Sequence, residues 1–147
     1  ETGFYHHFSD RDDLRQAMLD DWAQRGTFDI EKQVKALALD PATTLLALSK
    51  MIHNAKLADF DAPFRAWAQH DPMAQAVLEK VDEVRLNTIR VQFEELGFSG
   101  ADSENRARLF LFYEITAPMF FAKLAPELAE TLLLERHRLL TARGFAK

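Results

Sequence analysis

The chain contains no cysteine, which removes disulfides, thiolate metal sites and a cysteine nucleophile from consideration. Glycine and proline are sparse, five of each in 147 residues, and that scarcity suits helices better than a loop-rich fold. No apolar run free of charges is long enough to span a bilayer. No charged-then-apolar leader of the signal-peptide kind opens the sequence, so a cytoplasmic chain is expected. A cationic surplus is missing too, since 18 Lys and Arg stand against 23 Asp and Glu for a net charge of −5. Phosphate neutralisation needs the opposite balance, so these residues alone should not hold nucleic acid by general attraction. Catalytic patterns are also lacking. His53, His70 and His137 stand apart, with no His-Glu-x-x-His motif, no Gly-rich phosphate loop and no nucleophile elbow. His6 and His7 are neighbours that diverge by about 100° on a helix, which is poor geometry for a shared metal. Asp12-Asp13, Asp20-Asp21 and Glu94-Glu95 point apart for the same reason and decorate solvated faces. The expectation is a chain that is no enzyme and carries no metal or cofactor.

What is present is a strongly apolar sequence, 48% hydrophobic, of a length that buries about two thirds of its unfolded surface in one core. Helix starts are clearly marked. Asp40-Pro41 and Asp71-Pro72 each set an N-cap carboxylate before a proline at the first helical position, where the missing amide would go unpaired anyway. Ser9-Asp10-Arg11-Asp12 has the spacing of a capping box, Ala125-Pro126-Glu127 is a weaker start, and Gly97 and Gly144 suit helix C-termini that need positive φ. Alternating strand patterns, internal repeats and low-complexity tracts are absent. Helices are therefore expected over residues 10–38, 41–58, 61–70, 72–96, 102–124 and 126–143, in an all-α fold.

The apolar stripes say what each helix touches. In the first, Leu14, Met18 and Trp22 step by four, and Ile30, Val34 and Leu37 resume after a break near Gly26-Thr27, which predicts a long helix with an irregularity there. In the fourth, Val77, Val81 and Val84 share one face while Leu86, Ile89, Phe93 and Leu96 lie nearly opposite, so that helix should change partner midway. The fifth, "RARLFLFYEITAPMFFAKL" (Arg106 to Leu124), is apolar nearly all round and needs cover on more sides than one small domain supplies. The last adds Leu128, Leu132, Leu133, Leu139 and Leu140. Helices five and six then make half of an intermolecular four-helix bundle, or they are ordinary core helices of a monomer.

Two stretches carry a family resemblance. Thr2-Gly3-Phe4-Tyr5-His6-His7-Phe8, followed by Ser9-Asp10-Arg11-Asp12-Asp13-Leu14, resembles the end of the recognition helix and the start of the next helix in tetracycline-repressor (TetR) family transcription regulators. "FRAWAQHDPMAQAVLEKVDEVRLNTIRVQFEELGFS" (Phe64 to Ser99) is similar to the sixth and seventh helices of a common branch of that family. The two matches stand in order and extend the resemblance along the whole chain. It implies that residues 1–9 are the tail of a helix-turn-helix whose earlier helices are missing, and that residues 10–147 are a helical effector-binding and dimerisation domain. On that expectation these 147 residues do not bind an operator, because the recognition helix has nothing to pack on.

The resemblance also implies roles for particular residues. Operator DNA would be met by Tyr5, whose hydroxyl reaches a phosphate, with His6 or His7 beside it, Arg11 at a helix start, and Thr2 and Gly3 in or near the groove. A small apolar or aromatic effector would lie against Met51, Phe64, Trp67, Phe93 and Tyr113, oriented by His53, Asn87 and Arg90. Taken singly each of these also fits core packing, and Arg90 can pair with Glu94 instead. A homodimer would form through Phe110, Glu114, Ala117, Phe121, Leu133, Arg136, His137 and Leu140. The implied function is a regulator, a repressor released by its effector, with the helix over 10–38 as the lever and no membrane involved. The competing expectation is an all-helical dimeric interaction module in which the aromatics only pack.

Overall fold

The computed structural model describes residues 10–143, and they form seven α-helices and one π-helical turn with no strand among them. Helix α1 spans Arg11–Ala23, a π turn follows over Gln24–Phe28, and α2 continues from Asp29–Leu37. Then come α3 (Pro41–Asn54), α4 (Leu57–Ala68), α5 (Pro72–Glu95), α6 (Gly100–Phe120) and α7 (Pro126–Thr141). Among the described residues no helix is long and apolar enough to cross a membrane.

Local chemistry accounts for the punctuation. Asp40 caps α3 by accepting from the Thr43 amide and hydroxyl, and Asp71 caps α5 by accepting from the Met73 amide at 2.9 Å; Pro41 and Pro72 follow as expected. Asp71 also accepts from Trp67 Nε1 at 2.6 Å and pairs with Arg15, which ties α4, α5 and α1 at one corner. At the start of α1 the cap is Asp10, which accepts from the Asp13 amide at 2.8 Å. Helix α5 ends at Gly97, φ +98°. There the Gly97 amide reaches Glu94 O and the Phe98 amide reaches Phe93 O, the two bonds of a Schellman motif. The apolar contact expected of that motif is present, with the Phe93 and Phe98 rings 6.2 Å apart and edge to face. Gly144 lies outside the described residues.

Two boundaries differ from expectation. Helix α3 stops at Asn54 and α4 begins at Leu57, because Lys56 takes a left-handed conformation, φ +52°. In α1 the buried positions are Leu19, Trp22 and Ala23 while Met18 is exposed, and Leu37 is exposed in α2.

The irregularity at Gly26-Thr27 is a π turn, closed by the Asp29 amide bonding five residues back to Gln24 O. Its effect is geometric. Trp22 and Ile30 are eight residues apart, which on an α-helix leaves Ile30 about 80° past the face of Trp22. A π turn takes up roughly one extra residue, so Ile30 and Val34 return to the side on which Trp22 is buried. Gln24 Nε2 donates across the turn to Asp29 Oδ1 at 2.7 Å.

The core has two parts, joined along α5. Ile89 and Phe93 sit in the larger with Val34, Leu45, Leu48, Ile52, Phe98, Ala107 and Phe110. Val81 sits in the other, where Trp22 and Ala23 pack with Phe64, Val77 and Leu78, next to Leu19, Ala68 and Ala74. Helix α5 thus changes partner midway. Helix α7 buries no residue fully. It meets the body through Leu140, packed against the larger core, and through polar ties that include Arg106 Nη1 to Leu140 O at 2.6 Å and Arg136 to Glu114 at 3.6 Å. Leu109, Phe112, Met119, Phe120 and Phe121 around α6, with Leu128, Leu132, Leu134 and Leu139 on α7, remain exposed.

Candidate functional site

A cavity of about 40 Å³ lies behind the π turn. The turn and the start of α2 give it Gly26, Thr27, Ile30 and Glu31; α3 and α4 give Leu48, Ile52 and Leu57; α5 gives Arg85, Thr88 and Ile89; α6 gives Leu111 and Ile115. Seven aliphatic side chains and no aromatic ring line it. A water needs about 10–15 Å³ on this scale, so the space suits a few waters, and a larger guest requires the walls to move.

One charged side chain dominates the polar edge. Arg85 comes from α5 between Val81 and Ile89, both fully buried, and its own side chain is only 9% exposed. Two of its contacts go to Asp61 of α4, at 2.8 and 3.0 Å. Its Nε donates to Thr27 Oγ1 at 2.9 Å and its Nη2 to Gly26 O at 3.3 Å. A guanidinium buried this deeply needs both a counter-charge and acceptors for its donors, and Asp61 together with the π turn supply them. From the other side Arg65 donates to Asp61 and grips Asp82 at 2.9 and 2.6 Å. The pairing with Asp82 is the leading reason that the Arg65 pKa is raised. Two cations and two carboxylates balance. Trp22 completes the corner, stacked on Phe64 at 4.6 Å and lying 5.5 Å from the Arg85 guanidinium. A Cβ at Gly26 would stand 3.4 Å from Arg85 Nη2, in ordinary van der Waals contact.

A smaller cavity, about 10 Å³, lies between α3, α6 and α7. Ser49 Oγ donates to Glu114 Oε1 at 2.7 Å beside it, and the Arg136 guanidinium sits 3.8 Å from the Tyr113 ring centre. Burial pushes the Glu114 carboxyl above its usual range, and the hydrogen bond from Ser49 and the charge of Arg136 only partly offset this. Burial pushes the His137 imidazole down, with Asp40 opposing.

None of the eight residues expected to hold an effector lines the larger cavity. Phe64 and Trp67 belong to the cluster around α1, where Phe64 stacks on Trp22. Asn87 and Arg90 pair with each other at 2.6 Å on the surface of α5, and Arg90 also reaches Glu94 and Glu104. Met51 and Phe93 pack in the larger core, Tyr113 lies under Arg136, and His53 is exposed. Met51, Phe93, Phe64 and Trp67 are taken up by packing, and aliphatic side chains line the cavity.

Six of the eight expected dimer residues line or flank a cavity within the chain. Phe110, Leu133, Arg136, His137 and Leu140 line the small cavity inside the chain, and Glu114 faces Ser49. The outward face is one position away in helical phase, at Leu109 and Phe112. Ala117 is half-buried and Phe121 is exposed. Of the expected DNA contacts, Arg11 is exposed at the start of α1, while Thr2, Gly3, Tyr5, His6 and His7 lie outside the described residues. No metal-ready cluster of His, Asp or Glu occurs among the described residues.

Sequence reasoning missed Arg85, Asp61 and Thr27. A signal for the first was present, since Arg85 interrupts the apolar series Val81, Arg85, Ile89, Phe93 at four-residue steps. Comparison with protein-family models, with curated proteins and with solved structures gave no match.

Proposed function

We propose that this chain is the effector-binding and dimerisation core of a TetR-like transcription regulator, in which an apolar small molecule in the cavity controls the set of the long N-terminal helix. The observation that carries this reading is the dual role of the π turn. Gly26 and Thr27 form a wall of the cavity, and the same helix runs on to Asp10, next to the segment whose sequence resembles a recognition helix. A guest that moves that wall therefore acts on the element leading to residues 1–9. In a symmetric dimer a displacement of a few ångströms there would mis-set two half-sites spaced by one helical turn, about 34–36 Å. The exposed apolar residues of α6 and α7 support the dimer that this requires.

The test is a selection of genomic fragments at moderate salt, using the protein with a complete helix-turn-helix ahead of residue 1 and the 147-residue chain as control. Enrichment of a short near-palindromic site by the first protein alone supports the regulator. Without enrichment by a folded dimer, the second reading prevails: an all-helical interaction module. What favours that module is the same exposed face of α6 and α7.

A further inference from the structure

We infer that the cavity, widened as the π turn yields, takes an aliphatic molecule bearing one neutral hydrogen-bond acceptor, such as a ketone or ester, and that this acceptor competes with the π turn for the donors of Arg85. The inference rests on the effector reading above and specifies the chemistry of that site.

Three observations lead to it. First, Arg85, Thr27 and Gly26 all line the cavity, so the hydrogen bonds from Arg85 to the turn run along its wall, within reach of a guest. Second, the charge of Arg85 is already matched by Asp61 through two short contacts, and Glu31 stands on the same wall. A carboxylate guest would bring a charge with no free partner into a largely apolar space, which is strongly unfavourable. A neutral acceptor carries no such penalty and needs only one N–H. Third, the bonds to the turn are the replaceable ones. Gly26 O lies 3.3 Å from Nη2, long for an N–H···O bond, and the contact to Thr27 is between neutral oxygen and guanidinium, whereas Asp61 holds Arg85 by paired charge. A ketone oxygen can take Nε or Nη2 while Asp61 keeps the guanidinium in place. The π turn then loses one of its two ties to Arg85, while the Gln24–Asp29 contact across it and the Arg25–Asp21 contact to the preceding helix remain. The specificity-determining residue is Arg85, and the element that it releases is the irregular turn of the long helix.

The experiment compares 2-heptanone, heptanoate and hexane against the 147-residue chain, reading tryptophan fluorescence, to which Trp22 beside Arg85 responds, and hydrogen exchange of amides 24–31. The expected result is saturable binding of 2-heptanone at least tenfold tighter than heptanoate, with faster exchange at 24–31. Thr27→Val should tighten the ketone relative to hexane by about fivefold, since one competing hydrogen bond is removed. Arg85→Lys should bring the ketone down to the level of hexane. Heptanoate binding as tightly as the ketone overturns the inference, and so does saturable binding by none of the three to a chain that circular dichroism shows folded. If either variant misfolds, the comparison of ketone with heptanoate on the unmodified chain still decides. Ketone binding with no effect on selected DNA would sink the regulator and spare this site; a specific operator with no ketone response would do the reverse.

Discussion

Arg85 meets Asp61 across two helices and 24 residues of sequence through two parallel contacts, Nη1 to Oδ2 at 2.8 Å and Nη2 to Oδ1 at 3.0 Å. Asp61 is 1% exposed. Removing one partner of such a pair strands the other charge in a poorly solvated place, and the usual loss is about 3–5 kcal/mol. Asp61→Asn should therefore lower the free energy of unfolding in urea by roughly that amount. The double variant Asp61→Leu with Arg85→Met leaves no charge stranded and should fall well short of the same loss. A double variant as unstable as the single one would mean that shape, not charge, sets the value of this pair.

Glu114 gives a pH dependence of defined sign. Burial raises its carboxyl in the folded chain, so between the unfolded and folded values the native state holds the extra proton. The stability this group contributes is complete below the unfolded value and is lost as pH rises through the folded one. Glu114→Gln, which keeps the hydrogen bond from Ser49 without the buried charge, should raise the melting temperature at pH 7 and have little effect in strong acid. A variant that melts lower at pH 7 would show that the Arg136 contact outweighs burial.

His137 acts in the opposite sense. Its imidazole is lowered from the usual 6.5, mainly by burial. Its contribution is present above pH 6.5 and is lost as pH falls through the lower folded value. Titrating stability from pH 8 to 5 should show this loss in the native chain and a flatter curve in His137→Gln.

Gly97 and Gly100 both have positive φ, but their surroundings differ. Gly97, at φ +98°, lies outside the narrow left-handed region open to other residues, and a Cβ there would meet Arg143 Nη2 at 3.2 Å. Gly100, at φ +56°, lies inside that region and faces open space. Gly97→Ala should cost about 1–2 kcal/mol or more, and Gly100→Ala measurably less, in parallel thermal melts.

Phe112 and Leu139 project from α6 and α7 with 64% and 74% of their surface exposed. On the proposed dimer through this face, Phe112→Glu and Leu139→Glu should shift the chain from dimer to monomer in light scattering at micromolar concentration without lowering the melting temperature at high dilution. Phe110→Glu serves as the contrast, since it places a charge in the core and should unfold the chain outright.

The helical punctuation was legible in the residues themselves because capping and termination are local. Asp40-Pro41, Asp71-Pro72 and Gly97 act on backbone groups within a few positions, and the break in the first helix showed as a slip in phase at Gly26-Thr27. The change of partner along α5 was legible too, since its two stripes diverge at about 100° per residue. The candidate site was not. Asp61 reads as one more helical carboxylate, and its partners Arg85 and Thr27 are brought to it by the packing of α5 and the long helix onto α4. Of the aromatics that suggested a pocket, Phe64 stacks on Trp22 and Phe93 packs in the larger core. The choice of Leu109 over Phe110 as the outward residue depended on the rotation of α6 about its axis. Sequence alone determined most helix starts and stops, the break at Lys56 between α3 and α4 excepted, since those events use only short-range hydrogen bonds and backbone preferences. Which charge is buried against which, and where an aliphatic hollow is left, only the tertiary structure decided, because both follow from how bulky helices pack at long range.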